Sequence, residues 1–172
     1  MTDTQFHDAM NWSNSLEHHH EWRNRYFIDT EFSDFQAPEV LSIAIVGENG
    51  VEFYGERTDF SAERCSDFVR AVVVPQFGQI DGRAMTLGSL RQALLQWIAD
   101  IPSMSKPVIC YDHAVDLAML QFLLDGQLPE YWAFESVSGR LNAARRAAYY
   151  RKNGGEHHAL HDARANAYAC GF

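Results

Sequence analysis

Two carboxylates lie two residues apart in an apolar run, Tyr26-Phe27-Ile28-Asp29-Thr30-Glu31-Phe32, and far downstream His157 stands five residues before Asp162. Residues i and i+2 of a strand project from one face, so Asp29 and Glu31 share a side. A strand this apolar is expected to be buried, and buried ionised acids are unfavourable unless paired or neutralised by metal. Both acids therefore read as ligands of a hard cation, since carboxylate oxygen suits Mg²⁺ and Mn²⁺. An isolated Asp-x-Glu has a plainer reading, in which one acid sits at a strand edge and meets solvent or a basic partner. The metal reading needs more acids at the same place. Asp112 ends a later strand and Asp116 opens the helix behind it. Either can reach a site at the strand's carboxyl end, where α/β sheets place ligands. Asp162 lies inside the last helix, where a buried acid is normally avoided. His157 precedes that helix, after Gly154-Gly155 frees the backbone to turn. An imidazole exchanges protons near neutral pH, and one leaning over the acids would suit a general base.

The elements that must position these groups follow from pattern. Val40–Val46 is rich in β-branched residues, Glu48-Asn49-Gly50 gives a hairpin signal, and Val51–Gly55 returns as a strand. A helix is expected from Ser61 through Arg70, stopping before Pro75, and residues 76–85 read as a loop. Thr86 starts a helix with Leu87, Leu90, Leu94, Leu95, Trp97 and Ile98 in one stripe. Pro107–Tyr111 reads as a strand, Val115–Leu124 as a helix ended by Asp125-Gly126, and Tyr131–Val137 as a final strand. Helices over Arg140–Lys152 and His157–Tyr168 close the chain. This order is that of an α/β domain opening with an antiparallel set. Residues 1–24 are polar and aperiodic, and read as a flexible extension ahead of one domain over 25–172; consecutive His18-His19-His20 point in different directions and make a poor metal site.

Composition bounds the rest. At 172 residues, 47% hydrophobic and 22% charged, the chain suits one globular domain. Three scattered cysteines argue against a disulfide framework and for a reducing, cytoplasmic setting. No apolar run is long enough for a membrane span, and the polar start lacks a signal peptide's hydrophobic segment. A net charge of −9 argues against tight nonspecific duplex binding, but leaves room for an enzyme gripping a short strand through metals and a local basic patch. Arg140, Arg145, Arg146, Arg151 and Lys152, interleaved with Tyr149 and Tyr150, could form that patch or simply a solvated helix face. Trp97 and Phe122 sit in apolar helix stripes and read as core, whereas His158 and His161 are expected to face solvent or substrate.

Taken in order, Asp29-x-Glu31, the Asp of the middle segment, and His157-x-Ala159-Leu160-x-Asp162-Ala163 resemble the three motifs of the DEDDh 3′-5′ exonucleases, over roughly Tyr26 to Tyr168. The run from Tyr26 to Phe32, followed by Glu39-Val40-Leu41-Ser42-Ile43, is similar to a compact exoribonuclease branch of mycobacteria and phages. The resemblance implies a ribonuclease H-like fold, a mixed sheet of about five strands flanked by helices. It implies Asp29, Glu31, Asp116 and Asp162 around two Mg²⁺ or Mn²⁺ ions about 4 Å apart, with His157 as general base. In the middle motif Asp112 occupies the usual Asn position, and Val115-Asp116 replaces an aromatic-Asp pair. Asp116 is taken as the ligand, with Asp112 as the alternative. Thr30, Phe32, Arg145 and Arg146 are expected to touch substrate, and Phe32 and Phe35 to wedge the terminal base. The implied substrate is the 3′ end of single-stranded nucleic acid, RNA ahead of DNA, and the resemblance allows a homodimer. Two other readings stand beside this one: a catalytically silent nucleic-acid-binding or assembly module, and an HD-type phosphohydrolase suggested by His161-Asp162, a mostly helical class that fits an opening set of strands poorly.

Overall fold

A computed structural model describes residues 25–102 and 106–170. The extension read over residues 1–24, with its histidine triplet, lies outside them. The centre is a six-stranded mixed sheet in the order β4-β3-β2-β1-β5-β6. Its strands are β1 (Arg25–Phe32), β2 (Val40–Gly47), β3 (Glu52–Arg57), β4 (Ala84–Met85), β5 (Val108–Tyr111) and β6 (Ala133–Ser136). Among the described residues four α-helices flank it: α1 (Leu87–Ala99), α2 (Ala114–Leu123), α3 (Ala143–Asn153) and α4 (Ala159–Cys170).

β1, β2 and β3 form the antiparallel meander, with Gly50 at φ +82° closing the expected β2–β3 hairpin. β5 joins β1 in parallel, and β6 joins β5 in parallel. β1 is thus central, buried along most of its length, and its carboxyl end opens beside that of β5.

Strand alternation divides the core. Tyr26, Ile28, Ile43, Ile45 and Phe53 face α1 and α2, meeting Leu90, Leu94, Ile98, Leu120 and Leu123. On the opposite face Ala44, Val46 and Tyr54 meet Ala159, Leu160 and Ala163 of α4. The small residues of α4 let it lie close on β1 and β2. Gly55 serves the same end for α1, because a Cβ there would collide with Leu90.

Three expectations need correcting. The helix read from Ser61 to Arg70 is a short 3₁₀ turn (Ala62–Arg64), then a π-turn (Val69–Val73), then a 3₁₀ turn (Val74–Gln76) that contains Pro75. Pro75 lies at a first-turn position, where its missing N–H removes no bond, so it does not end the element. The loop read over residues 76–85 ends in β4, a two-residue strand that adds the sixth member to a sheet expected to have about five. Phe122, read as core, is 45% exposed under the guanidinium of Arg91. No described helix is long and apolar enough to cross a membrane.

Candidate active site

At the carboxyl end of β1 the carboxylates converge. Ligand-capable oxygens of Asp29, Glu31 and Asp162 all lie within 4.8 Å of one another, as do those of Asp29, Asp112 and Asp116. Asp29 belongs to both groups. The strand acids and Asp162 meet because Phe27, Asp29 and Glu31 share the face that α4 covers. A register irregularity between Glu31 and Phe32 ends the regular pairing at this point.

Asp116 arrives from the other face. It is the third residue of α2 and completes a capping box, its Oδ2 accepting from the N–H of His113 at 3.2 Å. Its Oδ1 accepts from the Thr30 N–H at 3.0 Å and the Thr30 hydroxyl at 2.8 Å. Thr30, expected to touch substrate, is buried and its hydroxyl is committed to orienting Asp116. Asp112 and Asp116 were weighed as alternatives, yet both reach Asp29.

Asp162 sits in the first turn of α4, where the helix dipole favours negative charge. Its Oδ2 accepts from the N–H of His157 at 3.1 Å, and its Oδ1 accepts from the Tyr150 hydroxyl at 2.6 Å. His157 precedes the helix at φ +64°, a left-handed conformation that costs a non-glycine residue about 1–3 kcal/mol. The turn works only with glycine before it: at Gly155 (φ +78°) a Cβ would run into the His161 ring. The His157 ring meets Phe68 edge to face, centroids 4.9 Å apart.

Burial and crowding push four of these acids above the ordinary carboxylate range. Asp29 is raised well above the ordinary carboxylate range, first by burial and then by repulsion from Asp116 and Asp162. Glu31 is pushed to about 8 for the same reasons, burial first. Burial is also the leading cause that lifts Asp116 and Asp162 to about 6, against the hydrogen bonds from Thr30 and Tyr150 that lower them. Among the described residues one guanidinium reaches in. Arg146 donates to Asp112 at 3.2 Å and, through Nε, to the Tyr150 hydroxyl at 3.3 Å. A set of buried acids left so short of positive charge fits divalent cations.

The acids floor a cleft of about 500 Å³ whose walls include Phe32, Phe35, Phe68, His113 and His157. Phe35 is 74% exposed and stands edge-on to Phe32 and His113. Its loop is closed by Asp34, whose Oδ1 accepts from the N–H groups of Gln36 and Ala37. Arg145 does not line the cleft; its guanidinium lies over the Tyr168 ring. His158, expected at solvent or substrate, is 1% exposed, stacked on Tyr54 and hydrogen-bonded to its hydroxyl at 3.1 Å. His161 is half-buried against Tyr149, so neither histidine joins His157 at the acids, and the described residues form no HD-type arrangement. In sequence neither Phe68 nor Tyr150, which lies in a basic stretch, carries a signal for the site.

A family model described as the 3′-5′ exoribonuclease Rv2179c-like domain matches residues 24–172. The 3′-5′ exoribonuclease Rv2179c of Mycobacterium tuberculosis (strain ATCC 25618 / H37Rv) is 45% identical over 53 residues, which is 30% of this chain. The 3′-5′ exoribonuclease MT2234.1 of strain CDC 1551 / Oshkosh gives the same identity over the same length. The match spans 32% of the length of these curated relatives. Among solved structures, Pop2p of S. pombe, in a form with Mg²⁺ and Mn²⁺ bound, aligns with a TM-score of 0.56 and 12% identity, covering 95% of this chain and 86% of that one. That likeness, with the mixed sheet and flanking helices, makes the fold ribonuclease H-like. Because the family model runs unbroken from the strand bearing Asp29 to the helix bearing Asp162, the chain belongs to the Rv2179c-like 3′-5′ exoribonuclease domain family.

Proposed function

We propose that the protein is a divalent-metal-dependent 3′-5′ exonuclease that shortens single-stranded nucleic acid from its 3′ end, RNA ahead of DNA. The observation that carries this is the pair of carboxylate groups sharing the buried Asp29, in which Asp29 is raised well above the ordinary carboxylate range and Glu31 to about 8. The family's description as an exoribonuclease domain supports both the reaction and the preference for RNA.

Asp29, Glu31 and Asp162 would hold one Mg²⁺ or Mn²⁺, and Asp29 with Asp116 and Asp112 the second. Such cations, when bound, lower the pKa of a coordinated water and stabilise charge on the departing 3′ oxygen. The side chains around them do the rest. His157, on the cleft wall, would take the proton of the attacking water. Thr30 and Tyr150 fix the carboxylates of Asp116 and Asp162, so ligand geometry does not depend on flexible stems. Phe32 and Phe35 offer aromatic faces and edges to the terminal base. Arg146, beside Asp112, is placed to meet phosphate, whereas Arg145 would contact the strand farther along. Cytoplasmic location and homodimer formation belong to the same proposal.

Single-stranded RNA and DNA labelled at the 5′ end test it, with Mn²⁺, Mg²⁺ or EDTA. Stepwise shortening from the 3′ end is expected, faster on RNA, stopped by EDTA and by Asp29→Ala, and slowed about 10²- to 10⁴-fold by His157→Ala. Shortening that persists in EDTA removes the metals from the mechanism. Shortening that persists in Asp29→Ala removes the carboxylate assignment.

A further inference from the structure

The conformation of His157 is unfavourable by itself, and the two glycines before it, at φ +68° and +78°, supply freedom rather than support. Something outside the loop must hold it. Across the cleft lies the irregular segment of 3₁₀ and π turns that carries Phe68, Val69 and Val73 to the cleft wall. Its next turn ends in Gln76, 81 residues from His157 in sequence. The Gln76 side-chain amide donates to the carbonyl of His157 at 2.9 Å and to that of Glu156 at 3.0 Å, with the carbonyl of Val72 in its own segment at 3.1 Å. Three carbonyls around one nitrogen identify it as the NH₂ end, since an amide oxygen there would face only acceptors.

We infer that Gln76 is the positioning residue of His157: its amide fastens the strained peptide so that the imidazole faces the carboxylates, an inference that rests on the role proposed for His157 above. The residue is held at both of its peptide groups, because Asp162 accepts from the His157 N–H while Gln76 donates to the His157 carbonyl. The brace is itself anchored at both ends. Val69 and Val73 pack on Leu41 of β2 and on Cys65, and Gly78, two residues past Gln76, donates its N–H to the buried Glu56 of β3 at 2.8 Å. A path of packed side chains and hydrogen bonds thus runs from the sheet through Gln76 to the base. Phe68, earlier in the same segment, adds its ring edge against the imidazole.

The test uses the full chain with Gln76→Ala and Gln76→Met. The methionine keeps the volume of the stem and deletes the donors, so one variant remains informative if the other unfolds. On single-stranded RNA with Mn²⁺, kcat is expected to fall about 10- to 100-fold, with KM and Mn²⁺ affinity (by calorimetry) each within about twofold of wild type. In a His157→Ala background the same Gln76 substitutions should cause no further loss, because a positioning residue has nothing left to position. An equal loss in that background, or a parallel loss of Mn²⁺ affinity, overturns the inference by showing that Gln76 supports the fold or the acids instead. A readout independent of catalysis is the set of histidine ring signals in long-range ¹H–¹⁵N spectra. Those of His157 should move in Gln76→Met while those of His113 stay. If the wild-type protein cleaves nothing, the proposed function fails. Unmoved His157 signals overturn the inference about Gln76 whatever the activity.

Discussion

Replacing Glu31 with Gln should stabilise the metal-free protein, although it removes a proposed ligand. The folded chain raises the Glu31 carboxyl from 4.5 to about 8, through burial first and then repulsion from Asp162 and Asp116. At pH 7 the folded state therefore keeps a proton that the unfolded chain has released. Folding takes up a proton, so stability falls as pH rises from 4.5 to about 8 and the full penalty is present above that. Over the interval from 4.5 to pH 7, at ~1.4 kcal/mol per unit, the burden is about 3 kcal/mol. Glutamine keeps the shape and carries no proton to lose. Because neighbouring acids share part of the same load, the expected gain is about 2–3 kcal/mol, or a Tm rise of roughly 4–12 °C for a chain of this size. The assay is urea unfolding in EDTA at pH 5, 7 and 8, wild type against Glu31→Gln. The gap should shrink below about 1 kcal/mol at pH 5, which lies only about half a unit above the unfolded value of 4.5. With Mn²⁺ at a hundred times its Kd, wild type should gain about 2.7 kcal/mol and the variant less. A variant less stable than wild type in EDTA at pH 7, or a gap indifferent to pH, would refute the electrostatic account of the site.

Mn²⁺ affinity should rise between pH 5.5 and 8.5 with proton release, since metal requires ionised acids and these titrate at about 6 (Asp116, Asp162) and about 8 (Glu31). Calorimetry in buffers of different ionisation enthalpy reads this, and a flat profile would show that these acids are not the ligands. Tyr150→Phe removes the 2.6 Å bond to Asp162 and should weaken Mn²⁺ binding or kcat about tenfold while costing only ~1 kcal/mol of stability. His158→Ala should cost about 2–4 kcal/mol, as a cavity replaces a buried ring and the Tyr54 hydroxyl, still donating to Glu56, loses its histidine partner, yet leave kcat of the folded protein unchanged. A large kcat loss there would mean that His158, not only His157, serves the chemistry.

What could be read in advance follows from how far each signal travels along the chain. The period of two in β1 and its apolar content mark Asp29 and Glu31 as acids sharing a buried face, and helix entry marks Asp162 and His157. These are local patterns, and the fold class follows from the same kind of pattern. The fates of neighbouring arginines were less accessible. Arg145 and Arg146 are adjacent, but a helix turns about 100° per residue, so one meets Tyr168 and the other Asp112. Which of them reaches the acids depends on how α3 docks against α4. The stretch after Ser61 does not follow its helical reading because its apolar residues serve two surfaces, Val69 and Val73 packing on Leu41 and Cys65 while the exposed Phe68 meets the His157 ring. His158 looked like a flank of the motif, and only the stacking of Tyr54 across the interface places it in the core. Gln76 carried no signal at all, since its partners lie 80 and 81 residues away.

β1 carries Asp29 and Glu31, whereas α4 supplies Asp162 more than 130 positions further along the chain. The cluster of Asp29, Glu31 and Asp162 therefore exists only while α4 stays docked on β1 and β2. Loosening that one helix takes away the third acid together with the His157 N–H bonded to it.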